Sequence, residues 1–193
     1  ATANVSPVYS PLQTQIDADV VVIGAGFTGL SAALHLAQSG INVVVLEAET
    51  PGWGASGRNG GQVNPGLIED PNHAITKFGS KMGHRMIKMS GAAAGLVFDL
   101  IEKHNIKCDP RPVGWVRAAH NKRSLRHLEE RARQWDTHGE TMQRLNSSEI
   151  AQLLGTEAYV GGIIDLRGGN IHPLNYALGL ADAALAEGAQ IYG

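Results

Sequence analysis

The sequence predicts an α/β protein built on a Rossmann-like βαβ unit that continues into part of an α+β region. Three observations predict it. A β-branched run, ADVVVI over 18–23, leads directly into GAGFTG, which sets Gly24, Gly26 and Gly29 in G-x-G-x-x-G register. A helix-forming stretch, LSAALHLAQSG, comes next. A second apolar run, INVVVLE, then ends on an acid, Glu47, about 20 residues past the glycines.

Each element has its own reason. Residues 18–23 form a short β-branched run of the kind a buried parallel strand needs. Leu30, Leu34 and Ala37 recur near helical spacing, and Gly40 offers a stop. Residues 41–47 repeat the buried-strand pattern. In this register the first glycine permits the tight turn, the second admits a pyrophosphate to the backbone, and the third lets helix and strand pack closely. The helix start turns unpaired N–H groups and a positive dipole end toward the phosphates, and Thr28 adds a hydroxyl there. Glu47 suits the paired hydroxyls of an adenosine ribose and repels a 2′-phosphate, which argues against NADP.

Composition narrows the partners. The chain has 193 residues, 43% hydrophobic and 18% charged, with a formal net charge of −2. That balance leaves no footprint for nucleic acid or an anionic membrane. Cys108 is the single cysteine, so neither an internal disulfide nor a cysteine metal cluster is expected, and no metal site is assigned. A reducing, cytoplasmic location fits that count. No stretch approaches the ~20 apolar residues of a membrane span. Residues 1–17 lack the basic start and apolar core of a secretory signal and read as a lead-in draped on the surface.

The stretch GWGASGRNGGQ, residues 52–62, asks for more than a linker, because a linker explains the glycines but not Arg58. An NAD enzyme, which shares the βαβ unit, needs little beyond the acid after the second strand. FAD extends further and needs a loop beside its ribityl chain and ring. Gly54, Gly57, Gly60 and Gly61 would let backbone lie against the ring system. Ser56 would bond a phosphate or ribityl oxygen, Arg58 the pyrophosphate or flavin, and Asn59 and Gln62 the flavin heteroatoms. Donors at the pyrimidine edge stabilise the reduced anion.

With these motifs in view, the segment ADVVVIGAGFTGLSAALHLAQSGINVVVLEAETPGWGASGRNGGQ resembles the amino-terminal part of FAD-dependent amine and amino-acid oxidoreductases of the D-amino-acid oxidase type, the γ-glutamylputrescine oxidase subgroup in particular. CDPRPVGWVRAAHN and GGIIDLRGGNIHPLNYALGLADAALAEGAQIYG carry the same likeness. The resemblance implies an FAD-binding domain begun by residues 18–107, part of a substrate domain over 108–171, and a return to the first domain over 172–193, with the fold incomplete at the C-terminus. It implies FAD contacts at Gly24, Gly26, Phe27, Thr28, Gly29, Glu47, Ala48, Ser56, Arg58, Asn59, Gly60, Gly61 and Gln62. It implies oxidation of a carbon–nitrogen bond in a small amine or amino acid, by hydride transfer to the flavin and hydrolysis of the imine, with oxygen or another acceptor closing the cycle. The loop offers no histidine or cysteine for a covalent flavin link. No catalytic residue is assigned, since the remaining C-terminal part would complete the pocket. The alternative is a non-catalytic nucleotide-binding piece or a subunit completed by another chain.

The rest of the chain reads more simply. Residues 70–106 are helix-like, with His84, Arg85 and Lys88 on a solvated face. Cys108 reads as a small structural residue. VGWVRAA is a strand candidate, and NKRSLRHLEERARQWDTHG is a charged helix with Leu125, Leu128, Ala132 and Trp135 inward and His127 and His138 at the surface. NSSE carries a capping box with Asn146 or Ser147 as the cap. YVGGIIDLRGGNIHP reads as two strand pieces around a glycine turn. Arg167 and His172 read as a turn arginine and a satisfied histidine, with a place beside a substrate cavity as the alternative. Pro173 opens a helix and AQIYG another strand.

Overall fold

The computed structural model describes residues 2–193, which divide into two compact units. The first is assembled from Ala1–Gly61, Asp99–Pro110 and Ile171–Gly193, and the second from Gln62–Phe98 and Arg111–Asn170. Residues 62–98, grouped by the sequence with the first domain, thus fall in the second unit.

In the first unit, β1 (Val20–Ile23), α1 (Phe27–Gln38) and β2 (Val43–Leu46) form the βαβ unit, with the two strands parallel and Val20 opposite Val43. Helix α1 buries Leu30, Ala33, Leu34 and Ala37, the i, i+3, i+4, i+7 stripe of an amphipathic helix. It stops where Gly40 takes φ +77° and its N–H bonds the Ala37 carbonyl, a left-handed ending that glycine adopts without strain. Val43, Val44 and Val45 of β2 are all but fully buried, each contributing about 1.5–3 kcal/mol.

Strand β1 departs from the expectation of a fully buried strand. Val21 and Ile23 are 54% and 78% exposed. The reason is position: in the order β1-β2-β8, β1 is an edge. The other edge is β8 (Gln190–Tyr192), parallel to β2 through Val45 opposite Ile191. Helix α5 (Pro173–Ala186) packs on α1 and leads into β8. It opens with Pro173 at its first turn, and His172 caps it by accepting from the Asn175 N–H at 3.2 Å.

The second unit opens on β3 (Gln62–Val63) and α2 (Pro71–Lys103), whose last residues count with the first unit. Its sheet comprises β4 (Trp115–Ala119), β5 (Gln143–Asn146) and β6 (Gly161–Asp165), antiparallel in the order β4-β6-β5. Helix α3 (Lys122–Asp136) and α4 (Ser147–Leu154) pack on it. The core under α3 includes Ala119, Leu128, Ala132, Trp135, Met142 and Ile163. The two strand pieces read around a glycine turn do not pair with each other: β7 (Gly169–Asn170) joins β3 instead.

Candidate functional site

The first unit brings most of the sequence-assigned residues to one end of its sheet. Gly24 follows β1 with φ +94°, a turn that favours glycine. A side chain at Gly29 would strike the Gly24 carbonyl oxygen, so the third glycine serves helix–strand packing. At Gly26 an added Cβ would sit 3.0 Å from the Ser56 hydroxyl. That hydroxyl accepts from the Phe27 N–H at 3.0 Å, so Ser56 reaches from its own turn to the start of α1. Gly26 is the N-cap and makes no side-chain cap bond, leaving the Thr28 and Gly29 N–H groups without an acceptor among the described residues. Thr28 itself is exposed. Free amides at a helix N-terminus are an anion site by geometry and by dipole.

Glu47 stands at the end of β2 and reaches back to the glycine turn. Its Oε2 accepts from the Ala25 N–H at 2.6 Å, and its Oε1 from the Glu49 N–H at 3.0 Å. Each carboxylate oxygen keeps a further lone pair for a hydroxyl donor. Ala48, beside it, is exposed. Phe27 meets Tyr176 edge-on, with ring centroids 5.3 Å apart, which anchors the first turn of α1 on α5.

The glycine-rich loop divides into braced and open positions. Gly57 and Gly61 are closed by the chain's own backbone: a side chain at Gly57 would meet the Gly52 carbonyl oxygen, and one at Gly61, where φ is +71°, the Ile171 carbonyl oxygen. Gly54 and Gly60 have open space where a side chain would be. Asn59 is spent on the loop itself: its amide donates to the Ala55 and Ser56 carbonyls at 3.0 and 2.9 Å, and its Oδ1 accepts from the Gly61 N–H at 2.8 Å. It therefore shapes the loop and keeps no free donor. Arg58 is exposed and lies over the Trp53 ring, 4.2 Å from the centroid. Gln62 begins β3 in the second unit with its side chain exposed.

Three roles were invisible to motif reading: Trp53 as the platform for Arg58, the Glu47 bond to Ala25, and Asn59 as a brace. Arg167 and His172 take their structural readings. Arg167 forks onto Asp165, at 2.9 and 2.6 Å, and also pairs with Glu140 at 3.0 Å. Cys108 is fully buried, and burial above all, with Asp109 adding to it, pushes its thiol up to about 11. Among the described residues no group of side chains is arranged to hold a metal ion, and no helix is long and apolar enough to cross a membrane.

A parallel βαβ sheet, an acid reaching back to a glycine turn and free amides at a helix start define a dinucleotide-binding protein of the α/β class. The chain belongs to the FAD dependent oxidoreductase family, whose model matches residues 19–193. It is 38% identical over 193 residues to the gamma-glutamylputrescine oxidoreductase of Escherichia coli K12, a match covering all of this chain and 45% of that protein. The chain thus spans under half the length of this relative. In fold it is similar to the glycine oxidase of Geobacillus kaustophilus, with a TM-score of 0.71 and 23% identity over 91% of this chain and 46% of that one. It is likewise similar to the L-amino acid deaminase of Proteus vulgaris, at 0.77 and 19% over 96% and 42%. The family's cofactor is FAD, and the free amides of α1, the remaining lone pairs of Glu47 and the open positions Gly54 and Gly60 fit it.

Proposed function

We propose that this chain is the flavin-binding part of an enzyme that oxidises a carbon–nitrogen bond in a small amine or amino acid, with a γ-glutamylputrescine-like molecule as the leading substrate class. The observation that carries the binding half is the meeting of Glu47, the glycine turn and the unpaired α1 amides within one unit. The substrate half rests on the likeness to gamma-glutamylputrescine oxidoreductase.

In this reading the Thr28 and Gly29 amides and Gly26 hold the pyrophosphate, with Ser56 and Phe27 shaping its seat. Glu47 and Ala48 flank the adenosine ribose. Arg58, Gly60, Gly61 and Gln62 border the flavin end, and Asn59 holds that loop in shape. FAD, when bound, supplies the hydride acceptor for the amine carbon. What this chain adds is orientation: fixed amides for the phosphates and a rigid loop that needs no reorganisation on binding. The 108–171 stretch is assigned to the substrate domain and the C-terminal remainder of the protein to closing the pocket. A cytoplasmic setting suits a chain with one buried free cysteine.

The test is the visible spectrum of the purified 193-residue chain after FAD is added and excess removed. Retained flavin bands are expected; a colourless chain would refute flavin binding by this part alone. Bleaching of those bands by an amine substrate, once the remainder of the protein is present, distinguishes an oxidoreductase from a non-catalytic nucleotide-binding subunit.

A further inference from the structure

The second unit carries a cluster of cationic side chains outside the flavin site. A cavity of about 370 Å³ is lined by Arg117, Ala118, His120, Arg123, Ser124, His127 and Leu128. Arg117 comes from β4, and Arg123, Ser124 and His127 from the first turns of α3. His120 sits between the two elements.

The pairing of the arginines is uneven. Arg131 and Arg167, the other arginines turned inward, each hold a carboxylate at 2.6 Å, from Asp70 and Asp165. Arg117 is half-buried, yet among the described residues no carboxylate lies within ion-pair distance of it or of Arg123. The Trp115 ring lies beside it, 5.5 Å from the guanidinium carbon to the centroid, and Asp70 attracts it only from beyond ion-pair distance. Asp70, the carboxylate on this side, already bonds Arg131 and stands 3.9 Å from His127. Burial, and then the like charge of Arg131, hold the Arg117 pKa below the ordinary arginine value. A half-buried guanidinium whose nearest carboxylate is already bonded to another arginine is only partly compensated, and an anion from solution would complete that compensation.

We propose that this pocket binds a small, multiply charged oxyanion of the phosphate type. Two guanidinium groups, two imidazoles and the Ser124 hydroxyl approach from different elements, which suits a tetrahedral anion with acceptors on every side. A single planar carboxylate is satisfied by one arginine fork. The site does not rest on the flavin reading, and its test requires no flavin.

The experiment is calorimetric titration of the 193-residue chain with inorganic phosphate, with succinate in parallel, alongside NMR of the His120 and His127 rings. One saturable site is expected, with both rings shifting at the same phosphate concentration. Arg117→Gln and Arg123→Gln should each weaken it by about tenfold or more, since each removes a charge-assisted bond. Arg126→Gln, which lies off the pocket on the same helix, should leave it unchanged. Arg123 is exposed, so its variant stays informative if Arg117→Gln fails to fold. No saturable binding, equal binding in the Arg123→Gln variant, or a preference for succinate over phosphate would each overturn the assignment.

Discussion

Glu47 does two jobs with one carboxylate. In the proposed reading it takes the adenosine ribose, by its place after β2, and in the structure it ties down the glycine turn through Ala25. Glu47→Gln keeps an acceptor for the Ala25 N–H and should cost about 1 kcal/mol of stability. Glu47→Arg removes the acceptor and brings a positive charge beside the positive end of α1, so FAD affinity should fall about tenfold or more; thermal unfolding and flavin fluorescence titration check the pair. The acid itself was legible from its spacing, but its second partner was not, because a side chain folding back over 22 positions leaves no periodic trace. Arg131 shows the same limit. Its flanking residues Leu128, Ala132 and Trp135 mark the inner face of α3, yet Arg131 is buried there too, at 2% exposed. It bonds Asp70 and the Leu67 and Ile68 carbonyls from far earlier in the chain. Arg131→Met leaves those acceptors unpaired and should cost about 3 kcal/mol in urea unfolding. Cys108 and Tyr176 add a pH signature. Burial raises the thiol to about 11 and the phenol to about 12, with the nearby Cys108 contributing to the latter. Both are raised acids, so their contribution is full below pH about 9 and is lost as pH rises through 11 to 12. Native Cys108 should resist thiol reagents at pH 8 and react on unfolding.

At the scale of elements, local chemistry was read well where one segment carries all the information. The α4 capping box is such a case: the Asn146 side chain accepts from Ser148 and Glu149, and Glu149 reaches back to the Asn146 N–H. Asn146→Ala should cost about 1 kcal/mol. Helix α2 shows what a pattern of apolar spacing misses. Residues 70–106 read as helix-like throughout, but within α2 at Gly79 φ is 77° and ψ 161°, and the path breaks into two helical arms. That backbone region is essentially closed to residues with a Cβ. Gly79 has open space around its Cα, so the strain of a substitution would come from backbone alone. Gly79→Ala should destabilise by about 1–3 kcal/mol or straighten the helix, and circular dichroism with denaturant titration separates these outcomes.

For the whole molecule, burial follows neighbours more than composition. Strands β1 and β2 are near-copies in sequence, VVVI and VVVL, and the sequence gives both the same buried reading. Only β2 is flanked on both sides, so only β2 is buried, and the difference lies in topology that no single strand encodes. Ile23→Lys should therefore leave the stability of this chain within about 0.5 kcal/mol of the parent while lowering its tendency to self-associate, since charge on an open edge discourages strand addition. Analytical ultracentrifugation at rising concentration reads that directly.

The threading of the first unit bears on how the protein is made. Strand β2 waits for β8, so Val45 meets Ile191 only after the whole second unit has left the ribosome. Until β8 is made, the first unit is an open pair of strands and a helix, while the unit inserted into it can already close. Pulse-labelled nascent chains should thus gain protease resistance in the inserted unit first, and in the glycine-turn region last.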